Sequence, residues 1–95
     1  MENMGIEYTI HIQDHDAEAV AVVLRRWPYL HEVVAMSGDF EMRSAPRADG
    51  MPDARLVVEP QRIYFCANDG VGRDFLGQVI ARLASHFGAV TIKEQ

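Results

Sequence analysis

Residues 62–93 read RIYFCANDGVGRDFLGQVIARLASHFGAVTIK, and this stretch decides the architecture. Arg62 to Ala67 is a short run of β-branched and aromatic residues, and Asn68-Asp69-Gly70-Val71-Gly72 follows it with residues that favour turns. From Asp74 to Phe87, apolar side chains recur at Phe75, Leu76, Val79, Ile80, Leu83 and Phe87, one face of a 3.6-residue helix. Gly88 stands where a helix C-terminus wants a residue tolerant of positive φ. Ala89 to Lys93 alternates as a last strand.

The chain before this unit supplies elements to complete its core. Ile6, Tyr8, Ile10 and Ile12 alternate with Glu7, Thr9, His11 and Gln13, the period of a strand buried on one face. Asp14 or Asp16 caps a helix whose stripe is Val20, Val23, Leu24 and Trp27, with Arg25 and Arg26 at its carboxyl end and Pro28 as its stop. Residues 32–44 read either as two strands about Ser37-Gly38-Asp39 or as one strand bent by a bulge at the glycine, and the single bent strand is the preferred reading. Residues 45–54 hold two prolines and a glycine and are expected to form the longest, flexible loop. Arg55 to Glu59 is a further strand, joined by Pro60-Gln61 to the next.

The resulting order, β-α-β-β-β-α-β over residues 1–95, gives one α+β domain. Both one-sided helices must cover the same sheet face to hide their stripes, making a two-layer α/β sandwich. At the level of element order this resembles the ferredoxin-like superfold, a split βαβ arrangement with one extra strand in a mixed, mainly antiparallel sheet. That superfold hosts many unrelated functions, so the resemblance implies no activity. The uncovered face should carry Glu7, Thr9, His11, Gln13, Glu41, Arg43, Arg62, Tyr64, Cys66, Thr91 and Lys93.

Composition narrows the function classes. Fourteen acidic against nine basic residues give a formal charge of −5, which repels polyphosphate and argues against nucleic acid as a partner. A single cysteine excludes an intramolecular disulfide and a cysteine-based metal cage, and fits a cytoplasmic home. No apolar run reaches the length of a membrane span, and no leader pattern opens the chain, so no membrane association is expected.

Four stretches carry candidate chemistry, each with a simpler reading beside it. His11, Asp14, His15 and Asp16 could ligate a divalent metal, but His11 falls in a strand and His15 in a turn, so helix-capping aspartates and an exposed histidine explain them better. Asn68, Gly70, Gly72 and Arg73 lie between strand and helix, where amides can hold an anion. Neither the dinucleotide fingerprint nor a phosphate-loop lysine is present there, and a capped turn is the simpler account. In Arg25-Arg26-Trp27-Pro28-Tyr29, Trp27 completes the helical stripe, which leaves Tyr29 for contact. Cys66, Ser37 and Ser44 lack the neighbours of activated nucleophiles.

The expectation is therefore a small acidic, non-enzymatic protein-interaction module, of a regulatory or immunity type, without cofactor or metal. Its protein partner, or a second copy as a homodimer, would meet the open sheet face through His11, Glu41, Arg43, Arg62, Tyr64 and Lys93. The alternative is a small-ligand sensor binding at residues 68–73. A metal protein or enzyme using His11 and His15 ranks last.

Overall fold

The computed structural model describes residues 5–33, 38–44 and 50–95. The elements run β1 (Ile6–Ile12), α1 (Ala17–Arg25), β2 (His31–Glu32), β3 (Asp39–Met42), β4 (Ala54–Val58), β5 (Ile63–Ala67), α2 (Gly70–Phe87) and β6 (Val90–Glu94). The chain is an α+β fold with a six-stranded open sheet in the order β2-β3-β4-β5-β1-β6, antiparallel at every pairing.

In place of the one bent strand preferred from the sequence, the described residues form two antiparallel strands, β2 and β3. His31 pairs with Glu41 and Glu32 with Phe40, and the Val33 amide donates to the Asp39 carbonyl at 2.7 Å. Gly38, just before β3, takes a φ of 83°, open to glycine at no steric cost. The sheet accordingly has one strand more than expected, and its order departs from the one a split βαβ arrangement predicts. Residues 45–49 of the expected loop, like 34–37 and 1–4, lie outside the described residues.

The first helix starts as its sequence requires. Asp16 caps it, its carboxylate accepting from the amides of Glu18 and Ala19. Its last residue is Arg25, so Trp27 lies just past the helix but keeps the stripe position. The second helix begins at Gly70, four residues earlier than the stripe suggests. Asp69 is its cap, accepting from the Gly72 amide at 2.9 Å, so the expected turn is spent as the first helical turn. Gly88 ends it at φ 88°.

One face of the sheet and both helices enclose the core. Ile10, Val20, Leu24, Phe40, Leu56, Ile63, Phe65, Val79 and Leu83 are fully buried within it. Trp27 stacks on Phe75, ring centroids 4.8 Å apart and 18° between planes, which ties the end of α1 to the first half of α2. Ile80 and Phe87 of α2, like Val90 and Ile92 of β6, pack on the core and are only partly covered.

Candidate functional site

The pairing register arranges the uncovered sheet face in rows. One row runs Lys93, Thr9, Tyr64, Val57, Asp39, and the next Glu7, Cys66, Arg55, Glu41, His31. Four of the residues expected as partner contacts therefore stand on this face or at its end: Glu41, Tyr64 and Lys93 in the rows, and His11 opposite Thr91. Arg62 lies in the turn before β5, where its guanidinium pairs with Glu59 at 2.8 Å. Arg43 follows β3 and pairs with Glu41 at 3.3 Å.

Arg55 is the residue sequence reasoning passed over on this face. It makes a bidentate pair with Asp39, at 3.1 and 2.8 Å, and Asp39 is buried although it points away from the helices. The Asp39 contact lifts the Arg55 pKa further above its ordinary value. Tyr64 donates its hydroxyl to Glu7 at 2.8 Å. Burial first, then the Glu7 contact and the neighbouring Cys66, push the Tyr64 phenol well above its usual pKa, so it is a neutral donor at any physiological pH. Thr9 is buried too, its hydroxyl accepting from the Gln95 side chain. The open face is thus largely a surface whose charged and polar groups satisfy one another.

The strand-to-helix junction is equally committed. Asn68 donates from its side chain to the Pro52 carbonyl at 2.9 Å, and its amide donates to Asp53. Gly72 is buried against the Asp53 carbonyl, so closely that a Cβ there would come within 2.0 Å of the oxygen. Its amide already serves Asp69, while Gly70 opens the helix and Arg73 is exposed on it. Asp53 lies beside Asp69, and the hydrogen bond between the two carboxyls raises the Asp69 pKa, burial adding to it.

His11 and His15 do not converge on a common point. His11 is exposed on the sheet, whereas His15 donates Nε2–H to the Glu59 carbonyl at 2.9 Å. Among the described residues, no group of three or more histidine, cysteine or carboxylate side chains is placed to hold a metal. The Cys66 thiol is hydrogen-bonded to the Asn68 side chain at 3.3 Å. No helix among the described residues is long and apolar enough to cross a membrane.

A second feature lies where the α1–β2 connection, the end of β3 and the first turns of α2 meet. They enclose a cleft of about 430 Å³, floored by Met42 and Phe75 and flanked by His31, Arg43, Ser44, Asp74 and Gln78. Its rim carries Tyr29, 62% exposed, and Val71, 48% exposed. With Met51 these are the large apolar side chains left exposed among the described residues. Tyr29 meets the edge of Trp27 at 6.2 Å, so the rim is braced by the Trp27–Phe75 stack. The volume of the cleft falls within the range of ligand pockets, and polar residues line it as often as apolar ones. Tyr29 was legible in the sequence as a residue left over from the helical stripe, and Val71 carried the same signal, an apolar residue off the α2 stripe. Their meeting at one cleft has no local sequence signature.

No protein-family model matches this chain, and no curated protein or solved structure does.

Proposed function

We propose that this chain is a non-enzymatic protein-interaction module, and that a partner polypeptide docks in the cleft between Tyr29 and Val71. The single observation that carries the reading is the placing of those two exposed apolar side chains on the rim of one cleft floored by Phe75 and Met42. Apolar rims around a concave, rigidly backed floor are where a few anchors concentrate binding energy. The fitting partner is a segment with one branched or aromatic apolar side chain for the floor, set among polar residues for Ser44, Asp74 and Gln78.

In this reading the open sheet face, with His11, Glu41, Arg43, Arg62, Tyr64 and Lys93, is the second contact surface. Its ion pairs Arg55–Asp39, Arg43–Glu41 and Arg62–Glu59 would have to be opened or bridged, which favours the cleft. Within the same proposal the fold is a ferredoxin-like arrangement enlarged by the β2–β3 hairpin, and a regulatory or neutralising role follows from binding without chemistry.

Selection of a displayed random-peptide library on the immobilised chain tests this. The expected result is enrichment of peptides with an apolar anchor whose binding is lost in Val71→Glu and kept in Arg62→Glu. Peptides that bind both variants equally, or lose binding only in Arg62→Glu, would overturn the assignment of the cleft.

A further inference from the structure

The two edges of the sheet differ in a way that bears on self-association. At one edge β2 is only two residues long, too short to template another strand. At the other, β6 is five residues of regular strand, Val90–Glu94, with no proline, and among the described residues it pairs with β1 alone.

Which backbone groups of β6 face outward follows from one hydrogen bond. The Gln95 amide donates to the Glu7 carbonyl at 2.9 Å, and the β1–β6 register pairs Tyr8 with Glu94, so Glu7 and Gln95 form a hydrogen-bonded pair. Such pairs alternate along an antiparallel ladder. Thr91 and Lys93 therefore turn their amides and carbonyls inward to β1, and Val90, Ile92 and Glu94 turn theirs to the open edge.

The apolar covering is incomplete at the same margin. Of the partly buried hydrophobic residues packed on the core, Ile6 and Val58 lie on β1 and β4, and the other four, Ile80, Phe87, Val90 and Ile92, belong to α2 and β6. Val90 and Ile92 stand opposite the core residues Ile12 and Ile10 and so face the helix side, and a strand added at this edge would cover their outer flank.

We propose that β6 pairs antiparallel with β6 of a second copy about a two-fold axis at Ile92, joining two sheets into one. The outward residues are symmetric about that point: Ile92 meets Ile92 and Val90 meets Glu94, each pair exchanging both of its backbone hydrogen bonds. Thr91 then lies opposite Lys93. Shifting the axis to Lys93 would set two lysines face to face, which is destabilising, and shifting it to Thr91 leaves Glu94 outside the ladder. A second copy fits for reasons of charge as well. Each chain carries −5, yet Lys93 and Glu94 cancel locally, so two copies meet at this edge without the repulsion their net charge imposes elsewhere.

Amide hydrogen exchange by NMR, read residue by residue from low micromolar to near-millimolar protein, tests the pairing. The account expects Thr91 and Lys93 to be protected at every concentration, and Val90, Ile92 and Glu94 to gain protection as concentration rises, in step with a doubling of mass in sedimentation. Ile92→Pro removes an outward amide that β1 does not use, a position an edge strand tolerates, and should keep the fold while abolishing the mass change. Ile92→Lys should weaken the dimer, with salt restoring it. A monomer at the highest concentration, or a dimer in which Val90, Ile92 and Glu94 exchange as freely as in dilute protein, would overturn the proposal.

Discussion

Trp27 and Phe75 lie face to face, and the Arg82 guanidinium sits 5.0 Å from the centre of the same indole ring. Trp27 comes from just past the first helix and the other two from positions two turns apart on the second, so this one contact ties the helices together over the sheet and braces the Tyr29–Val71 cleft. Phe75→Ala should cost about 3–5 kcal/mol, a large share of the stability of a domain this small. Arg82→Met should cost only about 0.5–1 kcal/mol, because it removes a cation–π contact and keeps most of the apolar stem. Urea unfolding followed by Trp27 emission measures both; equal losses would contradict the ranking.

Two glycines of α2 should respond in opposite directions. At Gly72 a methyl group would overlap the Asp53 carbonyl oxygen, a backbone atom that cannot swing aside, so Gly72→Ala should destabilise strongly. At Gly77 nothing lies within 4 Å of an added Cβ. Gly77→Ala should therefore stabilise by roughly 0.5–1 kcal/mol through helix propensity. Thermal unfolding of the pair of variants decides it.

The Asp53–Asp69 pair predicts an unusual pH dependence. The Asp69 pKa is raised in the folded chain, so its contribution to stability is fully present below the ordinary aspartate range and is lost as pH rises through the higher folded value. Asp69→Asn keeps a good helix cap and removes the repulsion between carboxylates. Its melting temperature should exceed that of the unmodified chain at neutral pH, and the advantage should vanish on acidification below the aspartate range. An advantage that persists there would place its origin elsewhere.

Much of the fold was legible because period and punctuation agreed. The alternation of β1, the Asp16 cap, the α2 stripe and Gly88 each follow from a local rule, and each is found. The pairing of β2 with β3 ranked only second in the sequence because a two-residue strand has no period to read. The first turn of α2 escaped because Gly70 and Gly72 read as turn residues, whereas Gly72 is small to let the Asp53 carbonyl approach. Arg55 was passed over because its role depends on register, which sets it beside Asp39 sixteen residues away in the chain. The cleft draws on residues 28–31, 42–44 and 71–78, and only the packing of α2 brings them together.

Val71→Glu is expected to leave stability nearly unchanged, since the residue is 48% exposed, while abolishing partner binding. Matching thermal unfolding of the two chains is the necessary control. A large loss of stability would instead mean that Val71 serves packing.

The most direct test of the docking assignment is site-specific photocrosslinking in cells that make the protein, with a photoreactive residue placed at Tyr29 in one chain and at Tyr64, on the open sheet face in β5, in another. A discrete protein adduct is expected from position 29 that disappears when Val71→Glu is added, and no such adduct from position 64. An adduct from position 64 alone, or one from position 29 that is indifferent to Val71→Glu, would contradict the assignment.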